Sequence, residues 1–488
     1  MDPEVTPVRG LHPSPAGAGL KPPAFSGGLR SLHFIGIGGI GMSAIARLFL
    51  LCGYKVSGSD LRHSRLTEEL LGLGAVIHIG HQAGNVRGRP GVVYSSAIST
   101  DNPEMQEARR RELTVLSRAQ ALAYLMSGKS AVTVSGSHGK TTTTSLLAHV
   151  LIEAGFSPSV AVGGILRSVG SNACCGKGAL FVAEADESDG SFLHYTPRYS
   201  IITNIDHEHL DFYKTFERQC EAFREFMGKT QAQGALILCA DDPHLMRLSR
   251  GYTGRVITYG IEQPAQVSAR DITTQGLSVE FDCISDGEPL GRFHLALGGV
   301  HNAANALAVI ACARELTVPL DKIKRAFGSY QGAGRRLEVK WRDARYTFID
   351  DYAHHPTEIS ATMSVLKQLR PRRLVVVFQP HRYSRTGLLL DRFGECFAGA
   401  DILITTDIYA AGEAPLEGVD GRVFFEQVKK ELPSGDVRYQ GRAGIAACLL
   451  RIIREGDVVV TMGAGDIVRI HDEVIKEIRE RRVFEAAE

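Results

Sequence analysis

An α/β chain of three parallel-sheet domains is what this sequence predicts, and three observations predict it. Residues Ala131–Val134 run into Gly136-x-x-Gly139-Lys140-Thr141 and then into Leu146, Leu147, Val150 and Leu151 at helical spacing, which reads as strand, phosphate loop and helix. Upstream, the short strand Leu32–Ile35 enters Gly36-Ile37-Gly38-Gly39-Ile40-Gly41 and an apolar helix, the pattern of a Rossmann-like nucleotide turn. Downstream, four apolar strands each end in a polar loop, as in a parallel sheet whose ligands lie beyond the strand C-termini. A chain of 488 residues divides into about three domains. We expect them at 29–127, 128–331 and 332–488, behind a Pro- and Gly-rich tail, 1–28, that reads as disordered.

Composition narrows the function. Hydrophobic residues make up 44%, charged residues 22%, and the net charge is +1, so electrostatics give no case for nucleic acid or an anionic membrane as partner. No apolar run is long enough to span a bilayer, and the tail lacks the apolar segment of a signal peptide. The nine cysteines are scattered, with only Cys174 and Cys175 adjacent and no Cys-x-x-Cys pair; a reduced cytoplasm fits best.

In the first domain the helix after the glycines runs through Met42, Ile45 and Leu48 to Leu51, and Gly53 ends it. The next strand, Tyr54–Asp60, closes on an acid placed for a ribose hydroxyl. Gly36, Gly38, Gly39, Ile40 and Gly41 would seat a pyrophosphate at the helix N-terminus; NAD, FAD and UDP-sugars all satisfy that pattern, and a purely structural turn remains the alternative. A strand over Val92–Ala97 carries Ser95 and Ser96 into a loop suited to ligand contact.

In the second domain Gly136, Ser137, His138, Gly139 and Thr142 belong to the loop that would cradle phosphates. Lys140 covers the β/γ oxygens and Thr141 places its hydroxyl on Mg²⁺. The loop is short: the common spacing would put glycine at 134, where Val134 stands. The strand Ala179–Ala183 runs into Glu184, Asp186, Glu187 and Asp189, carboxylates that repel one another unless a cation sits among them. The strand Ser200–Ile205 is followed by Asp206-His207-Glu208-His209, a second metal candidate without the helical spacing of a zinc protease. An alanine-rich helix from about Gly298 to Glu315 carries Asn302 and Asn305 on one face, suited to a purine edge; helix capping by Asn302 is the alternative. Gly328–Gly334 reads as a linker, and Arg335 and Arg336 after it suit an anionic phosphoryl group or simply a surface.

In the third domain the strand before Asp350-Asp351-Tyr352-Ala353-His354-His355-Pro356 ends in a polar turn and a helix start that includes Glu358. Arg382 and Arg385 follow another strand and are fit to hold a carboxylate.

Together the glycine turn 36–43, Gly136–Thr141, Glu184–Asp189, Thr203-Asn204-Ile205, Asp350–Pro356 and Gln379-Pro380-His381-Arg382-Tyr383 closely resemble the Mur ligases, in order, from about residue 31 to about 470. The resemblance implies a UDP-binding first domain, a central ATP-binding domain and a C-terminal domain that takes the amino acid. It accounts for the short phosphate loop and is nearest the alanine-adding branch. What it implies is ATP-driven ligation of L-alanine to UDP-N-acetylmuramate through an acyl phosphate, with ATP and Mg²⁺ as cofactors and small molecules as partners. It further implies that Thr141, Glu184 and His209 hold metal, Asn302 and Asn305 face adenine, and an acid of the Asp350–Asp351 pair faces ribose or the site entrance. Arg335 or Arg336 meets the γ-phosphate, and Tyr352, His354, Arg382 and Arg385 form the alanine end. Other Mur ligases carry a carbamylated lysine that falls near Phe223 here, where there is none. A murein-peptide ligase adding a tripeptide is the near alternative. An NAD-linked oxidoreductase and a non-catalytic nucleotide-binding module are alternatives of other classes. Oligomeric state and selectivity among alanine, glycine and serine stay open.

Overall fold

Each stretch of alternating strand and helix closes into its own sheet. The structure, a computed structural model, describes residues 29–95 and 97–485; the expected tail and Ser96 lie outside the described residues. The first sheet has five parallel strands in the order Val76–Ile79, Lys55–Asp60, Ser31–Ile35, Gly91–Tyr94, Val115–Ser117. The order reverses between Ser31–Ile35 and Gly91–Tyr94, and the glycine turn opens at that switch, where an open α/β sheet binds ligands.

The second sheet has ten strands. Ser130–Ser135 lies at its centre, parallel to Leu180–Glu184 on one side and Tyr199–Ile202 on the other. Its helix, Lys140–Glu153, is buried from Thr141 to Leu151 because Val300–Glu315 and Leu320–Ser329 cover the face turned away from the sheet. Both edges depart from the parallel pattern: Ser159–Leu166 and Ser171–Cys174 pair antiparallel at one, and at the other Val267–Gln275, Ser278–Ser285 and Glu288–Leu295 form an antiparallel meander. The strict inside–outside alternation of Ser278–Ser285 and the Asp286-Gly287 turn, both residues at positive φ, are its local causes.

The third sheet runs Glu338–Arg342, Tyr346–Asp351, Asp457–Met462, Arg373–Phe378, Ile402–Thr405, Asp436–Tyr439, parallel except for the first pair.

Two expectations change. The stretch read as a linker from Gly328 is shorter, because Leu320–Ser329 is a helix whose Ile323, Ala326 and Phe327 are buried at i, i+3 and i+4. Asn302 does not cap its helix: Gly299 holds that position, and the Asn302 amide, one turn in, donates to the Gly298 carbonyl at 2.7 Å. No described helix is long and apolar enough to cross a membrane.

Candidate active site

The phosphate loop is built by close approach. A Cβ on Gly136 would fall 2.2 Å from Thr203 Oγ1, and one on Gly139 would fall 2.6 Å from Asn305 Oδ1; both glycines have positive φ. The neighbouring strand end fastens the loop: Asn204 Oδ1 accepts from the His138 N–H at 2.8 Å, and Thr203 Oγ1 donates to the His138 carbonyl at 2.6 Å. The helix that follows has no side-chain cap and no acid in its first turn, so its N–H groups face an anion site without competition. Lys140 Nζ donates to the carbonyls of Gly136 (2.6 Å) and Ser137 (3.0 Å) and to Glu187 Oε1 (2.8 Å). Burial works against the ammonium, but Glu187, Glu208 and Asp186 together push its pKa above the usual lysine value.

Acids and imidazoles crowd the same corner. Glu184, at the end of its strand, accepts from the Gly163 N–H at 3.0 Å, and burial raises its pKa although Lys140 lowers it. The ligand atoms of Glu187, Glu208 and His209 lie within 4.8 Å of one another, and Glu187 Oε2 is buried with no hydrogen-bond partner. Glu208 and His209 of this group line one cleft with the hard oxygens of Thr141 and Glu184, and the orphaned Glu187 oxygen lies behind them, a donor set that fits a divalent cation such as Mg²⁺.

His138 ties the second and third domains together. Its Nε2–H donates to Asp206 at 2.9 Å, and its Nδ1 lies 3.6 Å from Glu358. Burial disfavours the cation, yet Asp206 and Glu358 hold the pKa up at about 10. Glu358 also meets Arg336 at 3.7 Å and His354 Nδ1 at 3.5 Å. His354 sits at about 4, lowered by burial and then by Arg385. Asp351 accepts from the N–H groups of Leu337 and Ala353 and is pushed up to about 6 by burial against the pull of Arg336.

These groups line two cavities that share Gly139, Arg336 and Glu358. A polar cleft of about 740 Å³ gathers Ile40 and Gly41 from the first domain. From the second come Ser137, Lys140, Thr141, Glu184 and His209, and from the third Tyr352, His354, Arg382 and Arg385. Behind the phosphate loop, a more apolar cavity of about 520 Å³ holds His138, Thr142, Asn302, Asn305 and Asp351.

Several expected residues take another part. Asp60 accepts from the Gly38 N–H at one oxygen and the Leu61 N–H at the other, so it braces the glycine turn. Gly36, Gly38, Gly39, Gly136, Asp60 and Ser95 line neither cavity. Arg335 reaches the cleft, but its guanidinium is used on Asp350 at 2.8 Å and on the Gly463 and Gly465 carbonyls. Of the two arginines, Arg336 is the one that faces both cavities.

Sequence reasoning missed Arg118, which lines the cleft and meets Asp186 at 3.1 Å, and gave no role to Glu358. Arg118 carried no signal, standing alone at a helix start. Glu358 did, one turn beyond the His354-His355 pair. Phe223, the position read against the family's lysine, is fully buried with its ring 5.3 Å from that of Phe192.

Comparisons with known proteins agree in every domain. Residues 31–130 match the family model of the Mur ligase family, catalytic domain; 134–313 match the Mur ligase middle domain; and 335–465 match the Mur ligase, glutamate ligase domain. The UDP-N-acetylmuramate–L-alanine ligase of Geotalea daltonii is 45% identical over 454 residues, covering 93% of this chain and 99% of that protein. The crystal structure of the UDP-N-acetylmuramate-alanine ligase of Thermotoga maritima superposes with a TM-score of 0.81 at 28% identity, over 92% of this chain and 99% of that one. A murein peptide ligase of Psychrobacter arcticus shares the fold, with a TM-score of 0.69 at 23% identity over 92% of this chain and 98% of that one.

Proposed function

This chain belongs to the Mur ligase family, and from that premise we propose how its three-domain cleft works. It is an ATP-dependent ligase that joins L-alanine to UDP-N-acetylmuramate in peptidoglycan synthesis. One observation carries the residue-level reading: Gly139, the residue before Lys140, lines both the cavity with paired amides and the polar cleft to which all three domains contribute, and Lys140 lines the cleft.

Adenine enters the rear cavity against Asn302 and Asn305, with Asp351 on the ribose side. The triphosphate crosses Gly139 so that its γ-phosphate emerges into the cleft. Lys140 and Arg336 neutralise the phosphoryl oxygens while the helix N-terminus aligns them. The muramoyl carboxylate oxygen attacks the γ-phosphorus; the bond to the bridging oxygen breaks and ADP leaves. Ile40 and Gly41 hold the UDP end of that substrate. The amine of L-alanine then attacks the acyl carbon, the carbon–oxygen bond to phosphate breaks, and the amide remains. Arg382 and Arg385 hold the alanine carboxylate. Nδ1 of His354 lies 2.9 Å from the Tyr352 carbonyl and donates to it, which leaves Nε2 as a neutral acceptor for the amine proton. Thr141, Glu184 and His209 would hold Mg²⁺, which when bound offsets charge on the phosphates. We place the reaction in the cytoplasm, a reading that its nine unpaired cysteines support.

Phosphate release in the presence of ATP, UDP-N-acetylmuramate and each candidate amine tests this reading. Product with L-alanine and none with the murein tripeptide is expected; the reverse result overturns the assignment.

A further inference from the structure

Away from the cleft, two thiols face each other across the seam between the first and second domains. Cys52 caps the C-terminal end of the helix Ile40–Leu51, whose other end begins at the glycine turn. Cys175 follows the strand Ser171–Cys174 on the edge of the central sheet. Their Sγ atoms are 3.8 Å apart, and both residues are partly exposed. We propose that Cys52 and Cys175 are an oxidation site, at which a peroxide converts the pair to a disulfide that staples the first domain to the second.

Both sides are held in place. The helix packs along the edge strand, where Asn172 Nδ2 donates to the Ile40 carbonyl at 2.6 Å and to Ser43 Oγ at 2.9 Å. The loop carrying Cys175 is pinned by Lys129, whose Nζ donates to the carbonyls of Gly176 (2.7 Å) and Gly178 (2.8 Å) and to Ser159 Oγ (2.9 Å). Contact between thiols in a protein core is common and inert; a cation pinned beside this pair is the added feature. Cys175 Sγ also has Ser159 Oγ at 4.0 Å, and its hydrogen bond with Cys52, helped by Ser159 and then Lys129, lowers the Cys175 thiol against the opposing effect of burial, so we take Cys175 as the attacking thiolate. Closing the pair takes the sulfurs from 3.8 Å to about 2.05 Å.

The chemistry balances. The Cys175 thiolate attacks one oxygen of hydrogen peroxide, forms a sulfenic acid and releases hydroxide, which takes up the proton that the Cys175 thiol had lost to solvent. The Cys52 thiol then attacks that sulfur, and water leaves with the thiol proton. Two thiols and one peroxide give one disulfide and two waters.

The test uses the reduced full chain, treated with hydrogen peroxide, alkylated and digested without reductant. A peptide joining Cys52 to Cys175 is expected, with the free-thiol count lower by two and restored by dithiothreitol. Cys174→Ser should leave the cross-link intact, and Cys52→Ser should abolish it while reduced ligase activity stays at the parent level. Three results overturn the proposal: pairing of Cys175 with Cys174, full alkylation of Cys52 after Cys175 has oxidised, or a cross-link that persists in Cys52→Ser.

Discussion

Replacing Lys140 separates what the lysine does for the fold from what it does for the reaction. Its Nζ is the cation on Glu187, a fully buried carboxylate whose second oxygen has no partner. In Lys140→Ala that buried charge keeps His209, whose Nε2 lies 3.4 Å from the same oxygen, but loses its lysine, and removing one partner of a buried pair costs about 3–5 kcal/mol in comparable sites. The lysine side chain keeps slight exposure, so we expect the lower end, ~3 kcal/mol. The same variant removes a preorganised donor from the phosphoryl oxygens, worth roughly 10²–10³ in turnover. The double variant Lys140→Ala with Glu187→Gln tells the two effects apart, because the amide carries no charge to strand. Urea unfolding should show most of the lost stability regained, whereas phosphate release with ATP, UDP-N-acetylmuramate and L-alanine should stay at the level of the single variant. Turnover within about tenfold of the parent in Lys140→Ala, or recovery of turnover in the double variant, would refute the reasoning.

Asp351 titrates at about 6 against a usual 3.8, so the folded chain holds its proton where the unfolded chain has lost it. Stability from this group is therefore fully present below about pH 4 and falls as pH rises towards 6, by ~3 kcal/mol in all. Asp351→Asn should flatten that part of the profile, read as urea midpoints across the window. Gly139→Ala must hold an alanine at φ +83 and push a Cβ to 2.6 Å from Asn305 Oδ1. Strain of about 1–2 kcal/mol and a displaced amide should raise the KM for ATP about tenfold or more, and an unchanged KM would mean that the loop yields without consequence. Phe223 lies among aromatic rings with no exposed surface, so Phe223→Ala should lower unfolding free energy by about 3–5 kcal/mol, with KM for all three substrates unchanged in the folded fraction.

Much of the fold was legible because its signals are local. Gly136–Thr141 and Gly36–Gly41 each place strand, turn and helix within about ten residues, and backbone sterics alone decide where the turn falls. The polar loops after each strand of the third sheet likewise stated their position, since a parallel sheet leaves its ligand groups at one edge. The antiparallel meander, Val267–Leu295, was missed although Asp286-Gly287 marked a hairpin, because its strands are short of the long apolar runs that a buried parallel strand displays.

Local pattern along the chain encodes the set of corners: a phosphate loop on a helix, a glycine turn on another, acids and arginines at strand ends. Which of those groups brace the fold and which face a cavity follows from how the three sheets pack. Asp60 is used on Gly38, Arg335 on Asp350, while Glu358 meets His138 across more than two hundred residues of chain. Spacing along the chain reports which residues share a turn or a face. Hydrogen-bond satisfaction and burial, which set each side chain's charge and reach, depend on neighbours brought in by the sheets, and no local pattern encodes those.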